Sequence, residues 1–377
     1  MPPSRARSKD SIRVAVPVEQ LWHRVPGGTG RATTETLAAF EATAGLNIQG
    51  VAAWHRRGER AVASGVGSIT YLPVPRRLLY ESWLRFGWPR VERHIGPVDV
   101  VWASSMIPVP SEAPMVATVH DLGFLDRPEH TSRRGRSFFP RAWAAIRDQA
   151  EIIVCPSQVV ADDCQRRGVS SERLRVIPWG VSAPISGCEA TESIRRSKGL
   201  PECFVLWVGT LEPRKNLHRL VEAMERIPDL HLAVVGPRGW NVDGTDVLAP
   251  LGGRAHRLGF VDDHDLSALY RAASVFAYPS ILEGFGLPVL EAMAHGTPVV
   301  TAEATATAEV AAGTARLVDP NDPEAIAAAI EATLAEPEIT KQLVAQGRRR
   351  AKELTWARTA EHYASVLCEA AAKGRSG

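Results

Sequence analysis

The chain has 377 residues, of which 45% are hydrophobic and 23% charged, so it is long enough for two globular domains and is not typical of a disordered protein. Its formal net charge of +2 is too small to suggest a nucleic-acid-binding protein. The longest charge-free run, residues 61–75, is too short for a membrane-spanning helix, and no signal peptide is predicted because Arg13 interrupts the first apolar stretch. Five cysteines without a C-x-x-C pair favour neither a disulfide framework nor a zinc site. We therefore expect a soluble cytoplasmic enzyme.

Positive charge is concentrated in the first half of the chain. Residues 1–180 contain 24 lysines and arginines against 17 acidic residues, whereas the remainder contains 20 against 25. Much of this excess accompanies aromatic residues in residues 71–94 and 133–141. Such a surface is either a solvated face with aromatic rings packed beneath it or a face for an anionic acceptor or for the anionic inner face of the cell membrane. Its basic residues are Arg76, Arg77, Arg85, Arg90, Arg93, Arg133, Arg134, Arg136 and Arg141.

Short apolar runs alternate with helical patterns along the chain, which predicts parallel sheets covered by helices on both faces. In the first half, strands are predicted at residues 12–16, 48–53, 69–72, 98–102, 115–119, 152–155 and 174–177, and helices at 33–44, 76–91, 140–148 and 158–167. In the second half, strands are predicted at 204–208, 232–235, 255–258, 275–278, 299–301 and 316–318, and helices at 215–226, 263–273, 288–295 and 323–334. Helices at 339–353 and 356–372 follow.

This alternation predicts an α/β fold with two Rossmann-like, doubly wound domains that face each other across a cleft. Residues 182–200 are polar and rich in small residues, and we expect them to be the linker. We assign residues 1–183 to an N-terminal domain, 184–355 to a C-terminal domain and 356–377 to a last helix. Ligands of such sheets bind outside the carboxyl ends of the strands, so the chemistry is expected there.

Common nucleotide-binding and hydrolase patterns are missing from the sequence. Gly28 and Gly30 follow the first strand, but Thr33 replaces the third glycine of G-x-G-x-x-G, and no acidic residue ends the second strand. A nicotinamide-cofactor domain is therefore not expected. The chain also has no P-loop, no H-E-x-x-H and no G-x-S-x-G.

The most informative segment is residues 278–298, Y-P-S-I-L-E-G-F-G-L-P-V-L-E-A-M-A-H-G-T-P. It places two carboxylates eight residues apart, one in the loop after a strand and one near the start of a helix, with two glycines that let a ligand approach the backbone. The free amides at that helix N-terminus attract anions. This pattern favours a site for a phosphate-linked sugar over an ordinary turn whose acidic residue stabilises the helix dipole. The residues concerned are Glu283, Gly284, Phe285, Gly286, Leu287 and Glu291.

A second segment, V-G-T-L-E-P-R-K-N at residues 208–216, also follows a strand and opens a helix. It directs Arg214 and Lys215 at the same crevice, where arginine can hold a phosphate through two hydrogen bonds and lysine acts as a point charge. The alternative is an exposed pair at a helix start. Lysine is scarce in this chain, with six lysines against 38 arginines, which makes Lys215 a poor candidate for surface filler.

Two features of the first half belong to the same cleft. His120 lies at the carboxyl end of a strand and would face the cleft from the opposite side, although a single histidine is more often structural. The loop of residues 26–30, which includes Gly28, would let the backbone approach a phosphate.

These motifs together resemble those of the retaining family 4 glycosyltransferases, which have the GT-B fold. The likeness covers nearly the full chain and is strongest over residues 208–319, where E-G-F-G-L-P-V-L-E matches the family's E-x7-E motif. The resemblance implies that Glu291 holds the ribose of the donor nucleotide and that Arg214 and Lys215 neutralise the leaving diphosphate. It further implies that Glu283 and the backbone of residues 285–287 meet the sugar and the diphosphate.

The resemblance implies that His120 contacts the transferred sugar and that Gly28 and Gly209 border the donor. It also implies that the last helix crosses back onto the N-terminal domain, and that neither a metal nor a cofactor is needed because cationic side chains serve the diphosphate. Two positions depart from the family pattern. Thr210 stands where many members have arginine, so Arg214 would take over that role, and Trp179 replaces the usual asparagine of I-P-N-G-V.

We therefore expect a retaining glycosyltransferase that moves a hexose from a nucleotide sugar to a glycan or lipid-linked acceptor, in polysaccharide or glycoconjugate biosynthesis. Mannose from GDP-mannose is the first choice of donor. Retention usually requires a carboxylate nucleophile; none is evident, so same-face attack by the acceptor is favoured. The alternatives are a nucleotide-sugar 2-epimerase of the same fold and a nucleotide-sugar-binding protein without catalysis.

Overall fold

The computed structural model describes residues 11–22, 27–55, 64–131, 133–185, 187–237, 239 and 247–376. Pro26 of the predicted glycine loop lies outside these residues, as does the side chain of Arg77. In the part of the chain that is described, no helix has the length and apolar character needed to cross a bilayer.

The strands form two sheets in which all neighbours pair in parallel. The first sheet, in the order β3-β2-β1-β4-β5-β6-β7, contains β1 (Ile12–Pro17), β2 (Leu46–Trp54), β3 (Ser68–Pro75), β4 (Val100–Ala103), β5 (Met115–Thr118), β6 (Ile152–Cys155) and β7 (Leu174–Val176). The second, in the order β10-β9-β8-β11-β12-β13, contains β8 (Phe204–Val208), β9 (His231–Val235), β10 (Ala255–Gly259), β11 (Val275–Tyr278), β12 (Val299–Ala302) and β13 (Arg316–Val318). The predicted strands and the two doubly wound domains are confirmed.

Helices cover both sheets. In the first half they are α1 (Gly27–Ala39), α2 (Arg76–Phe86), α3 (Glu92–Ile95), α4 (Gly123–Asp126), α5 (Arg133–Gln149) and α6 (Gln158–Arg166). In the second half they are α7 (Cys188–Ser197), α8 (Leu217–Glu225), α9 (Asp263–Ala272), α10 (Leu287–His295), α11 (Ala306–Ala311), α12 (Pro323–Ala335), α13 (Pro337–Glu353) and α14 (Trp356–Ser376).

The predicted glycine loop is wrong, because Gly27, Gly28 and Gly30 form the first turn of α1. Glycine is a poor helix former, which is why the sequence pattern predicts a loop here. Helix α1 nevertheless buries Leu37 completely, and packing of this kind outweighs the propensity of a single turn.

Two further boundaries differ from the prediction for the same reason. Helix α5 begins at Arg133 instead of Pro140, because its buried face continues through Phe138 and compensates for the hydrogen bond that Pro140 cannot donate. The predicted linker contains α7, whose Ile194 is buried in the core of the second domain. Most of α7 is polar, and Ile194 is the one buried position among residues 190–197, so the segment gives little periodic signal.

The last helix returns to the first domain, as predicted. Tyr363 of α14 is fully buried against the first sheet, and its hydroxyl lies 3.0 Å from Thr118 Oγ1. The same Thr118 oxygen accepts a 3.0 Å hydrogen bond from the Trp102 indole, whose ring lies 4.9 Å from that of Tyr363. The polar ends of both aromatic rings are thereby satisfied inside the core, and α14 completes one face of the first sheet.

The chain crosses between the domains twice, and the crossings lie side by side. Val181 N donates a 3.0 Å hydrogen bond to Leu354 O, and Thr359 Oγ1 donates a 2.9 Å bond to Pro178 O. At Gly180 the crossings touch, since a Cβ there would lie 2.1 Å from the backbone nitrogen of Trp356. This position therefore requires a residue without a side chain.

We predict that Gly180→Ala lowers the free energy of unfolding by about 1–3 kcal/mol, because the added methyl group pushes the two crossings apart. Gly187→Ala is the matched control, since a Cβ at Gly187 would meet no atom of the described residues within 4 Å. We expect it to change the free energy of unfolding by no more than about 0.5 kcal/mol. Thermal unfolding followed by circular dichroism measures both. Equal stability of the two variants would contradict the close packing.

Candidate active site

Strand ends from both domains meet at one cleft. His120 follows β5, Gly209 follows β8 and Glu283 follows β11, so each lies beyond the carboxyl end of a buried strand. Strands β8 and β11 are neighbours in the second sheet, which brings the loops after them together. A cavity of about 440 Å³ opens between the domains here. It is lined by Thr29, Ser105, Met106, His120, Asp121, Gly123, Phe124, Arg127, Thr131, Phe139, Glu212, Arg214 and Leu282.

The carboxylate of Glu283 is the centre of a buried ion cluster. Its Oε1 lies 2.5 Å from Lys215 Nζ and accepts a 2.8 Å hydrogen bond from Ser280 Oγ. Its Oε2 lies 3.3 Å from Arg214 Nη1. Lys215 also donates to the Tyr278 hydroxyl at 2.7 Å. Both predicted cations and the first predicted carboxylate therefore meet, although Lys215 is buried and does not line the cavity.

The charges in this cluster stabilise one another. Burial alone would raise the pKa of Glu283, but Lys215 and Arg214 hold it at about 2. Burial and the neighbouring Arg214 lower the pKa of Lys215, an effect that Glu283 opposes. Arg214 Nε is also held at 2.8 Å by Glu212 Oε2, and its pKa is raised by the surrounding carboxylates in spite of burial. The two cations are therefore fixed in position beside the cavity.

The second predicted carboxylate, Glu291, lies in a separate group. Glu291 Oε2 accepts a 2.8 Å hydrogen bond from the Tyr270 hydroxyl, and Oε1 lies 2.9 Å from Arg31 Nη1. Arg31 belongs to α1 of the first domain, so this ion pair spans the cleft. Burial raises the pKa of Glu291, although Arg31 and Tyr270 oppose the rise.

His120 presents an unused acceptor. Its Nε2 lies 2.9 Å from the carbonyl oxygen of Ser104, and a carbonyl only accepts, so Nε2 carries the proton and Nδ1 keeps a lone pair. Nδ1 is shielded from solvent and has no hydrogen-bond partner among the described residues. Burial lowers the pKa of His120, although its bond to Ser104 opposes this, so the ring is neutral at pH 7.

The loop after β11 touches the first domain directly. A Cβ at Gly284 would lie 1.7 Å from the carbonyl oxygen of His120, so only glycine permits this contact. Gly284 O accepts a 2.7 Å hydrogen bond from Ser157 Oγ, at the start of α6. Gly284 thus serves the contact between the domains, and its place in the donor site stays a prediction.

Trp179, one of the departures from the family pattern, connects predicted site residues across the cleft. Its ring lies 5.5 Å from that of His120 and 5.3 Å from that of Phe285. It also faces Gly28, where a Cβ would lie 3.8 Å from the indole. The substitution therefore fills space between the domains with an aromatic ring.

The remaining predicted residues flank these groups. Gly286 precedes α10 and Leu287 begins it, which gives the helix N-terminus that the sequence predicts. Sequence reasoning missed Arg31, Tyr270 and Ser280. Ser280 stands three residues before Glu283, close enough to have been noticed, whereas Arg31 and Tyr270 reach Glu291 from other helices and leave no local pattern.

Comparisons with known proteins agree with this architecture. The family model described as Glycosyltransferase Family 4 matches residues 26–183, and that described as Glycosyl transferases group 1 matches residues 190–350. O-antigen chain mannosyltransferase B of Escherichia coli is 32% identical over 253 residues, which are 64% of this chain and 66% of that protein. D-inositol 3-phosphate glycosyltransferase of Corynebacterium glutamicum (strain R) is 31% identical over 287 residues, 69% of this chain and 67% of that protein.

A solved structure shares the fold. Sucrose-phosphate synthase from Thermosynechococcus elongatus superposes with a TM-score of 0.75 at 24% identity, over 95% of this chain and 98% of that one. The two facing parallel-sheet domains and the returning last helix are the GT-B fold. With the matches to both halves, they show that the chain belongs to the glycosyltransferase family of the group 1 and family 4 type.

Proposed function

We propose that the protein is a retaining glycosyltransferase that transfers a hexose from a nucleotide sugar to a glycan or lipid-linked acceptor without a metal ion. The observation that carries the proposal is the pair of fixed cations, Arg214 and Lys215, beside a cavity that His120 faces from the other domain. The family to which the chain belongs supports the reaction class.

Charge development explains the placement of the cations. When the glycosidic C–O bond breaks, negative charge grows on the nucleotide diphosphate. Arg214, Lys215 and the N-terminus of α10 stabilise that charge, and because Glu283 already holds both cations, little reorganisation is needed as it forms. Stabilisation that increases toward the transition state is what accelerates a reaction.

The first domain would serve the sugar and the acceptor. His120 Nδ1 accepts a hydrogen bond from a hydroxyl of the transferred sugar, because Nε2 is committed to Ser104. The acceptor enters the cavity on the side of Phe124 and Phe139, whose rings lie 5.4 Å apart. Glu283 is engaged by two cations and is a poor nucleophile, which favours same-face attack by the acceptor hydroxyl.

GDP-mannose remains the first choice of donor. Its support is the G-T-L-E-P-R-K-N segment together with the 32% identity to a mannosyltransferase. The matched relatives align over about two thirds of their length, and the acceptor of this chain is proposed only as a class.

The two basic aromatic stretches are in contact, and we propose that their exposed side chains bind an anionic membrane. Arg141 of α5 pairs with Glu81 of α2 at 3.0 Å and joins the two stretches. Phe86 is 78% exposed and Leu78 59% exposed beside exposed arginines, an arrangement that suits a lipid surface. Trp83 and Phe138, in contrast, are buried and belong to the core.

The roles proposed for the donor-site residues predict which substitutions lower kcat and which raise KM. Lys215→Ala should lower kcat about 10²–10³-fold, because it removes charge stabilisation that grows as the diphosphate leaves. Glu291→Ala should mainly raise the donor KM, because ribose contacts do not change during the reaction. Glu283→Ala should affect both, so that the ratio of kcat loss to KM gain falls from Lys215 to Glu283 to Glu291.

Steady-state kinetics with saturating acceptor measure this order. Lys215→Arg is the control, since it keeps a cation beside Glu283 and should retain more of kcat than Lys215→Ala; melting temperatures check that each variant folds. A hundredfold loss of kcat in Glu291→Ala with unchanged KM would place Glu291 at the reacting centre instead.

Donor identity predicts selective stabilisation. At equal concentration, GDP-mannose should raise the melting temperature more than UDP-glucose or ADP-glucose, because the ligand that binds more tightly stabilises the folded protein more. A ligand at 100 times its Kd adds about 2.7 kcal/mol to the free energy of unfolding. The increase should disappear in Glu291→Ala. Greater stabilisation by UDP-glucose would refute the choice of GDP-mannose. In a separate NMR assay without acceptor, the appearance of a free epimerised nucleotide sugar would favour the epimerase.

Membrane contact predicts salt-sensitive sedimentation with anionic vesicles. The double variant Arg90→Gln, Arg93→Gln should weaken binding by about 2 kcal/mol, or about thirtyfold, since each basic residue contributes about 1 kcal/mol. Arg349→Gln with Lys352→Gln, an exposed basic pair on α13, is the control and should bind like the wild type. If the wild type does not bind anionic vesicles at low salt, the membrane proposal is wrong and these stretches are an ordinary solvated surface.

A further inference from the structure

Arg31 supplies the charge partner of Glu291 from the opposite domain. The 2.9 Å contact joins α1 of the first domain to α10 of the second, and the side chain of Glu291 is only 9% exposed. Asp263 is a weaker partner of Arg31, at 3.8 Å and 76% exposed. The buried carboxylate is therefore the main partner of Arg31 among the ion pairs that the described residues form.

Arg31 and Tyr270 leave half of the carboxylate free. An ionised carboxylate has about four acceptor positions on its two oxygens. Among the described residues, Tyr270 donates a hydrogen bond to Oε2 and Arg31 forms an ion pair with Oε1. Neither contact uses more than one position, so each oxygen keeps at least one. Two neighbouring acceptors on a fixed carboxylate match the two adjacent hydroxyls of a ribose.

We propose that Arg31 is a positioning residue for the donor nucleotide: it reaches across the cleft and holds Glu291 ionised and oriented to accept both ribose hydroxyls. This inference rests on the proposed function, in which Glu291 binds ribose. Because Arg31 belongs to the other domain, the ribose site is complete only when the domains are together. Nucleotide binding and domain closure therefore favour each other.

The charges around Glu291 make the proposed nucleotide binding depend on pH. Burial, Asp263 and Glu35 raise the pKa of Glu291, whereas Arg31 and Tyr270 lower it. His295 contacts only the backbone oxygen of Glu291, and burial lowers its own pKa, so it is neutral at pH 7. Ribose binding needs the ionised carboxylate, so affinity falls as the pH drops through the pKa of Glu291. Without Arg31 that pKa rises, and the fall begins at a higher pH.

The test is isothermal titration of GDP, and of UDP in parallel, into the full chain between pH 5.5 and 8.5. Arg31→Ala should weaken nucleotide binding about ten- to hundredfold at pH 7, because the buried carboxylate loses its charged partner. Its midpoint of pH-dependent binding should lie above that of the wild type. Arg31→Lys keeps a cation and should restore affinity to within about threefold of wild type.

Glu309→Ala separates positioning from a loosened domain interface. Glu309 of α11 accepts hydrogen bonds from the backbone amides of Gln158 at 2.8 Å and Val159 at 3.2 Å, so its loss removes a contact between domains without touching Glu291. This variant should lose much less nucleotide affinity than Arg31→Ala, and its midpoint of pH-dependent binding should match that of the wild type. An equal loss in Glu309→Ala, with the pH midpoint unmoved, would overturn the inference.

Two other outcomes distinguish the inference from the function on which it rests. Unchanged or tighter binding by Arg31→Ala, with a wild type that binds GDP or UDP, would overturn the role of Arg31 alone. A wild type that binds neither nucleotide would overturn the proposed donor site, and the role of Arg31 with it.

Discussion

The site depends on a carboxylate that can remain charged inside the protein. An isolated buried charge costs several kcal/mol, and removal of one partner from a buried pair is strongly destabilising. Glu283 avoids this cost because the loop after β11 meets the loop after β8, which carries Arg214 and Lys215. The same pairing fixes the cations and the strand ends from which they project. The same contacts therefore stabilise the buried carboxylate and position the cations for the proposed reaction. They form because β8 and β11 are neighbours in the second sheet.

The contact between the domains, like the ion cluster, requires particular residues. Gly284 approaches His120 so closely that no side chain fits, and Trp179 occupies the space between His120 and Phe285. An asparagine at position 179 could not fill that volume. The aromatic ring therefore packs between the domains, next to the histidine that lines the cavity.

The sequence predicted those parts of the molecule that local patterns encode. Buried parallel strands are continuous apolar runs, and the residues at their carboxyl ends follow from topology, so His120, Arg214 and Glu283 were found together. The start of α1, the helix in the predicted linker and the extension of α5 were missed, because tertiary packing overrides glycine, polar composition and Pro140 there. Arg31 was missed because its partner is 260 positions away, and no local pattern reveals a pairing over that distance.

The return of α14 makes the order of synthesis differ from the order of folding. Tyr363 and Leu367 belong to the core of the first domain, yet the ribosome makes them after the whole second domain. Part of one apolar face of the first sheet, the part that α14 covers, therefore stays exposed until the second domain has been made. Chaperone binding to the nascent chain should concentrate on that exposed face until α14 emerges, because an uncovered apolar surface is what makes partly folded chains aggregate.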